Sequence, residues 1–445
     1  MQGEFLKYFR CIDSYPRFEL GGSLSEQTGY FSWDKSLVCY GKCVSDNVAQ
    51  RIDDRMPVVC SEVHESDRAV YLPFDSDEVV RNLQYERYVG CIRNTGMQHK
   101  AIRNIYYAIR PVLPVSVRKH MQRISLRDWD KIQFPSWPVD ITVENLHKRM
   151  MAMVMRANGH SVVPFIWFWP GEYKAAVIVT HDVETSAGRD FTWKLMDMDA
   201  SRGFNASFQV VPEERYAVTR KYLNQIVDRG FEVNIHDLNH DGHLYVEHAE
   251  FLRRAKKINQ YSKEYGAVGF RSGVMYRNPD WYNAYEFDYD MSTPNVAHLD
   301  PQHGGCCTVM PYFIGDLVEL PLTCTQDYTL FHMLRDYTTR LWEQQINTII
   351  NNNGLITILT HPDYLMKPHE QISYLRLLDY TAQQRDTKHL WATLPREVAA
   401  WWRQRSNMKL VDEGGTLRVE GPGSNRARIA YAVLNGETVN YTFNP

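Results

Sequence analysis

Between residues 175 and 402, short apolar segments alternate with longer amphipathic segments, and this alternation restricts the possible fold more than any other feature of the chain. The pattern predicts β-strands alternating with α-helices, as in an α/β barrel or a doubly wound sheet. Parallel strands are buried on both faces, which agrees with the uninterrupted runs VIVT and LITIL. The predicted strands are Ala175–Thr180, Ala206–Val211, Glu232–Ile235, Gly269–Arg271, Leu317–Pro321 and Leu355–Thr360. The predicted helices are Thr192–Ser201, Glu214–Arg229, Tyr245–Tyr265, Leu330–Asn351 and Pro368–Gln384.

Polar and ionisable residues follow these strands at their carboxyl ends. In α/β folds the active site gathers at that edge of the sheet, so we expect these residues to lie together. Asp182 and Glu184 are two positions apart and project from the same side of an extended chain, so one carboxylate can bind a metal while the other activates water. The other residues at the strand ends are His236, His240, Arg271, Asp288, Asp290 and His361. The whole set is typical of metal-assisted acyl hydrolysis.

The segment VNIHDLNHDGHLY, residues 233–245, supplies the two histidines best suited to binding a metal. His236 and His240 are four residues apart and can face the same way on a helical turn, and imidazole is the commonest transition-metal ligand. Asn239, Asp241 and Gly242 favour a loop at the carboxyl end of the strand. Taken alone, the segment is equally consistent with a solvated histidine-rich loop, and the residues at the other strand ends favour the metal site.

The length and composition of the chain argue against a single-domain protein, a nucleic-acid-binding protein and a disulfide-rich protein. A chain of 445 residues exceeds the size of a single hydrophobic core, so two or more domains are expected. The formal net charge of -3 argues against a nucleic-acid-binding protein. No apolar run is long enough for a signal peptide or a transmembrane helix, and the eight cysteines show neither disulfide-framework nor zinc-finger spacing. We therefore expect a cytoplasmic protein with reduced thiols, without a nucleic-acid partner or a transmembrane segment.

The regions on either side of the alternating segment are predicted to be separate domains. Residues 1–135 are expected to form a mixed α/β region of unassigned fold. This region includes a basic helical segment, Lys100–Arg127, whose basic side chains are expected to form a solvated face or to bind an anionic partner. A methionine-rich helix over Val143–Asn158 is expected to fill a core. Short strands split by glycine-containing turns predict a small antiparallel β module over residues 408–445. The central domain is expected to span residues 164–402.

The residues at the strand ends resemble the motifs of the polysaccharide deacetylases of carbohydrate esterase family 4, which share the NodB-homology fold. The resemblance covers Ala175–Trp402 and rests on five motifs in order. The matching segments are THDVE (180–184), HDLNH (236–240), Arg271, Asp288 or Asp290, and LTH (359–361). Gly273 stands where the family has proline, no tryptophan follows the fourth motif, and the fifth motif is one residue shorter. The resemblance implies an α/β fold with a distorted (β/α) barrel of polysaccharide-deacetylase type, flanked by the N-terminal α/β region and the C-terminal β module.

The resemblance also implies a metal-dependent hydrolase that removes an N-acetyl group from an N-acetylated sugar or polysaccharide. Glu184, His236 and His240 would hold one divalent ion, and zinc is the favoured ion. Two other interpretations stay open. The first alternative is a non-catalytic carbohydrate-binding or scaffold protein on a degenerate deacetylase barrel, and the second is an amidohydrolase that acts on a non-sugar C–N amide.

The catalytic groups follow from the same resemblance. Asp182 would be the general base, and Arg271 would keep its carboxylate ionised and oriented. His361 would be the general acid that protonates the departing amine. Asp290, in preference to Asp288, would hold His361 in its charged form.

Overall fold

The computed structural model describes residues 1–34, 36–45, 48–53, 55–66, 68–89 and 126–444. The predicted basic segment Lys100–Arg127 lies outside these residues except for its last two positions. None of the helices in the described ranges is long and apolar enough to cross a membrane. The chain divides into two compact units. We call Met1–Phe168, Gly304–Cys307 and Arg405–Pro445 the terminal unit, and Trp169–His303 and Thr308–Gln404 the central unit.

Helices and strands are numbered in chain order. The α-helices are α1 (Gly3–Phe9), α2 (Ser76–Gln84), α3 (Thr142–Ala157), α4 (Ser186–Ala200), α5 (Arg220–Val227), α6 (His248–Tyr265), α7 (Arg340–Asn351), α8 (Pro368–Lys388) and α9 (Pro395–Ser406). The strands before residue 300 are β1 (Phe18–Leu20), β2 (Gly29–Ser32), β3 (Val38–Gly41), β4 (His64–Ser66), β5 (Ala69–Leu72), β6 (Val162–Ile166), β7 (Ala176–Val183), β8 (Ala206–Val210), β9 (Glu232–His236), β10 (Gly269–Arg271) and β11 (Tyr289–Asp290). The later strands are β12 (Tyr312–Ile314), β13 (Leu317–Glu319), β14 (Leu355–Thr360), β15 (Trp391–Ala392), β16 (Lys409–Glu413), β17 (Thr416–Glu420), β18 (Ile429–Asn435) and β19 (Thr438–Thr442).

The central unit is built on one sheet with the strand order β12-β13-β11-β10-β9-β8-β7-β14, in which β15 also pairs with β7. The pairs are parallel except for β12 with β13. Each predicted strand of the alternating segment is present, and both β7 and β14 are buried along their whole length. The predicted mixed α/β fold is therefore confirmed. The short strands β11, β12 and β15 were not predicted.

The sheet is so strongly curled that the chain leaving β13 contacts the strand at the opposite end. The Thr323 hydroxyl donates to the Leu355 carbonyl at 2.7 Å and accepts from the Thr357 N–H at 2.9 Å. The Cys324 N–H donates to the Thr357 carbonyl at 3.3 Å. Because Leu355 and Thr357 belong to β14, the two ends of the sheet meet, and the fold is a partly closed barrel. The carboxyl ends of the parallel strands consequently surround one mouth.

A buried tyrosine fills part of the barrel interior below this mouth. The Tyr289 hydroxyl donates to Glu232 Oε1 at 2.7 Å and accepts from Asn234 Nδ2 at 2.7 Å. The ring crosses directly over Gly269, where a Cβ atom would lie 2.2 Å from Tyr289 Cζ. Gly269 is therefore required by this close approach of the ring to the backbone.

We expect Gly269→Ala to lower the free energy of unfolding by at least about 3 kcal/mol. The added methyl group must displace the Tyr289 ring, which combines overpacking with the loss of hydrogen bonds to buried Glu232 and Asn234. Guanidinium unfolding of the purified variant measures the effect. Gly21→Ala is the control, because its nearest atom would be the Leu72 carbonyl oxygen at 3.5 Å. Equal stability of the two variants would contradict the prediction.

In the terminal unit, β18 pairs antiparallel with both β19 and β6. The predicted module over residues 408–445 therefore shares a sheet with β6, part of which lies inside the predicted range 164–402. The compact units thus differ from the predicted domains, because the C-terminal strands pair with β6 and belong to the same unit as residues 1–168. The division of the chain into the three domains 1–135, 164–402 and 408–445 remains a prediction. The methionines of α3 are buried, as expected for a core helix: Met150, Met151, Met153 and Met155.

Candidate active site

The curled sheet brings the predicted site residues together at the carboxyl ends of β7, β9, β10 and β14. Strand β7 extends three residues beyond its predicted end, so Asp182 lies within the strand and Glu184 directly after it. His236 and Arg271 are the last residues of β9 and β10, and they are paired in register. His361 follows the last residue of β14.

Three side chains form a cluster with the geometry of a metal site. Glu184 Oε1 lies 3.0 Å from His240 Nε2 and 3.7 Å from His236 Nε2. Ligand atoms of the three residues all lie within 4.8 Å of one another. Both Nε2 atoms are buried, and among the described residues neither has a hydrogen-bond partner of suitable geometry. Ligands of a tetrahedral zinc ion, at bonds of about 2.0–2.1 Å, are separated by roughly 3.4 Å. A carboxylate and two imidazole nitrogens at these distances fit a divalent transition-metal ion.

The ring of His236 is oriented as a metal ligand requires. Its Nδ1 lies 3.1 Å from the Arg271 carbonyl oxygen, which can only accept a hydrogen bond. The proton is therefore on Nδ1, and the lone pair of Nε2 faces the cluster. Burial by itself would lower the pKa of His236, but the carboxylates of Asp182 and Glu184 outweigh burial and raise the pKa. The two carboxylates therefore favour a positive charge at the position of His236 Nε2.

Asp182 is the second carboxylate beside this cluster. Its Oδ1 accepts from Arg271 Nη1 at 2.8 Å, and its Oδ2 lies 3.6 Å from His236 Nε2. Arg271 is fully buried and also donates to the Thr180 hydroxyl oxygen and the Met291 carbonyl, both at 3.0 Å. Although burial would raise the pKa of Asp182, Arg271 and the neighbouring histidines lower it. Asp182 is therefore an ionised carboxylate in a fixed orientation, suited to accept a proton.

His361 is held by Asp327, a carboxylate that the sequence motifs did not identify. The Nδ1–H of His361 donates to Asp327 Oδ1 at 2.7 Å, and the backbone N–H of His361 donates to Asp327 Oδ2 at 2.8 Å. Its Nε2 lies 3.6 Å from Glu184 Oε1 and so faces the cluster. Burial would lower the pKa of His361, but Asp327 first, then Glu184 and Asp182, raise it to about 10. The imidazole thus retains a proton near neutral pH.

Asp290, the predicted partner of His361, occupies a different position. Its carboxylate accepts from the N–H and the hydroxyl of Ser292, both at 2.9 Å. It lies beside Glu319, its register partner on β13, and burial raises the pKa of Asp290. The structure thus gives Asp327, not Asp290, as the partner of His361, because the turn at Ser292 fixes the Asp290 carboxylate elsewhere. Asp288, the less favoured candidate, is exposed.

Gly273 has a steric role next to the loop that follows β9, residues 237–243, which we call the histidine loop. A Cβ atom there would lie 2.5 Å from Asp237 Oδ2 and 2.9 Å from His240 Cδ2. His240 and Asp237 both have positive φ, of 54° and 57°, so the loop is already tightly constrained. The absence of a side chain at Gly273 therefore allows the loop to place His240 against Glu184.

We expect Gly273→Ala to weaken the binding of divalent metal at least 10-fold, because the methyl group would push His240 away from Glu184. Titration of the purified variant with zinc, in competition with a chromophoric chelator, measures the effect. An unchanged dissociation constant in a folded variant would show that the loop relaxes without moving His240.

No model of a protein family and no curated protein sequence matches the chain, but solved structures resemble it. A protein described as a polysaccharide deacetylase from Mycobacterium smegmatis is 17% identical over 54% of this chain and 93% of its own, with a TM-score of 0.44. The allantoinase Puue is 12% identical over 53% and 92%, with a TM-score of 0.41. A family 4 carbohydrate esterase from Streptomyces lividans, in complex with acetate, is 15% identical over 49% and 91%, with a TM-score of 0.32. Over about half of its length, the chain is similar to solved structures of proteins described as polysaccharide deacetylases and family 4 carbohydrate esterases.

Proposed function

We propose that this protein is a metal-dependent hydrolase that removes an N-acetyl group from an N-acetylated sugar or polysaccharide. The observation that carries the proposal is the convergence of three groups at one mouth of the barrel. These groups are the Glu184, His236 and His240 cluster, the Asp182 carboxylate held by Arg271, and the His361 imidazole held by its own carboxylate. A hydrolytic site needs a cation site, a base and an acid, and each group supplies one of them.

Glu184, His236 and His240 would hold the divalent ion, which when bound supplies Lewis-acid polarisation of the acyl group and of water. Zinc is the ion that this ligand set favours. Asp182 then removes the proton from the attacking water, because its carboxylate is ionised and lies beside the cluster. Arg271 fixes the orientation of Asp182 and keeps it charged.

His361 donates a proton to the departing amine nitrogen. Its Nε2 faces the cluster, while Asp327 holds both its backbone N–H and its Nδ1–H. This double contact leaves the ring little freedom to rotate, so the proton is presented in one direction. Amide hydrolysis requires this step, because an amine leaves far more readily than an amide anion.

Two measurements test the proposal together: the metal content of the purified protein and acetate release from a panel of N-acetylated mono- and oligosaccharides. We expect a stoichiometric divalent metal and acetate release that a chelator abolishes. Metal binding with hydrolysis only of non-sugar amides would favour the amidohydrolase alternative. Carbohydrate binding without hydrolysis in a metal-loaded protein would favour the non-catalytic alternative. The N-acetylated carbohydrate partner and the cytoplasmic location remain predictions.

A further inference from the structure

The second histidine of the cluster has a hydrogen-bond donor where a metal-binding histidine usually has an acceptor. Arg215 Nη2 lies 3.1 Å from His240 Nδ1 and 2.7 Å from the His240 carbonyl oxygen. A guanidinium group can only donate, so His240 Nδ1 accepts and carries no proton. His236 is the opposite case, since its Nδ1–H donates to the Arg271 carbonyl.

The loop that follows β8 fixes the position of the Arg215 side chain. Arg215 Nε donates to the Asn239 carbonyl at 3.2 Å, a third contact to the histidine loop. The next residue, Tyr216, donates its hydroxyl to the Val183 carbonyl at 2.6 Å and accepts from the Val211 N–H at 3.1 Å. The guanidinium is thus held against the histidine loop, while Tyr216 fixes the adjacent backbone to the end of β7.

This arrangement determines which nitrogen of His240 carries the proton. A neutral imidazole has one N–H, so an unprotonated Nδ1 requires the proton on Nε2. Nε2 is the atom that faces Glu184 at 3.0 Å, and a metal ion needs a lone pair there. To bind the ion, His240 must transfer its proton to Nδ1, and that N–H then points at the Arg215 N–H. The positive charge of the guanidinium also opposes a second cation nearby.

We propose that Arg215 is a positioning residue that weakens metal binding at His240, so that the ion is held at full strength only when the guanidinium moves away. The inference rests on the proposed metal site of Glu184, His236 and His240. It goes beyond that site in assigning an opposing function to a residue outside the ligand set. Arg215 is an exposed residue at the edge of the site, so its displacement requires no unfolding of the barrel.

Zinc affinity of Arg215→Met tests the proposal, because methionine keeps much of the side-chain length and removes the donors and the charge. We expect the dissociation constant for zinc to fall by about 10- to 100-fold, which is the usual size of the change when a hydrogen-bond partner of a metal ligand is replaced. Arg220→Met is the matched control: it makes the same change in charge at a residue whose guanidinium donates to the Glu264 carbonyl, and its affinity should equal that of the wild type.

A second readout is the tautomer of His240 in the metal-free protein, measured by nitrogen-15 NMR with labelled histidine. We expect the proton on Nε2 in the wild type and on Nδ1 in a larger fraction of Arg215→Met. Equal zinc affinity of Arg215→Met and the wild type, or a wild-type His240 protonated on Nδ1, would overturn this inference and leave the metal site intact. If neither protein binds zinc at all, the proposed metal site fails, and this inference fails with it.

Discussion

Replacing His236 with alanine is expected to abolish stoichiometric zinc binding and to lower turnover by at least about 10³-fold. His236 is almost fully buried, and its Nδ1–H is fixed by the Arg271 carbonyl, so its Nε2 is an oriented ligand that alanine does not supply. Loss of one of three protein ligands leaves a carboxylate and a single imidazole, too few for a catalytic zinc site, which has three protein ligands and one open position. The ion contributes several kcal/mol to stabilising charge in the transition state, and about 1.4 kcal/mol corresponds to a tenfold change in rate.

Metal analysis after dialysis, together with acetate release in the same preparation, measures both effects. His243→Ala is the control, because this histidine belongs to the same loop, its side chain is 47% exposed, and its Nδ1 lies 3.6 Å from Asp241 Oδ2. We expect His243→Ala to retain both metal and activity. A His236→Ala protein that still carries one equivalent of metal would show that the ion binds elsewhere.

The strands of the central unit could be predicted because burial on both faces is visible in a local run of residues. Leu355–Thr360 is buried at every position and coincides with the predicted strand. The end of β7 was placed three residues too early, because polar residues after Thr180 favour a loop in a local pattern. His181 is in fact buried within the strand, where its ring contacts Asp199 at 2.9 Å and the Thr360 hydroxyl at 2.8 Å.

The sequence did not predict Asp327 and Arg215, because distant parts of the chain bring them to the site. Asp327 lies 34 residues before His361, and its approach depends on the curl that brings the chain after β13 against β14. Arg215 lies 25 residues before His240 and belongs to a loop without a motif. The prediction that Asp290 holds His361 rests on the resemblance of Asp288 or Asp290 to the fourth motif of the family, and a sequence motif does not show where a carboxylate points. Motifs at strand ends therefore predict which groups share a mouth, and the curl of the sheet decides which of them pair.

Replacing His361 with alanine is expected to leave the metal bound and to lower turnover by roughly 10²–10⁴-fold, the usual contribution of a positioned acid. His361 is not one of the three ligands, so its removal should not change the metal content. Asp327→Asn should also lower turnover. It removes a charge that raises the pKa of His361, so the alkaline limb of the pH–rate profile should move to lower pH.

Asp290→Asn separates the role of Asp327 from the general effect of losing a buried carboxylate. Both carboxylates are fully buried, but the hydrogen bonds of Asp290 go to Ser292, whereas those of Asp327 go to His361. We therefore expect a shifted alkaline limb in Asp327→Asn and an unshifted limb in Asp290→Asn, whatever the stability of either variant. The opposite result would restore Asp290 as the partner of His361. Wild-type turnover in metal-loaded His361→Ala would mean that His361 only shapes the loop after β14, and the leaving amine would then require another proton donor.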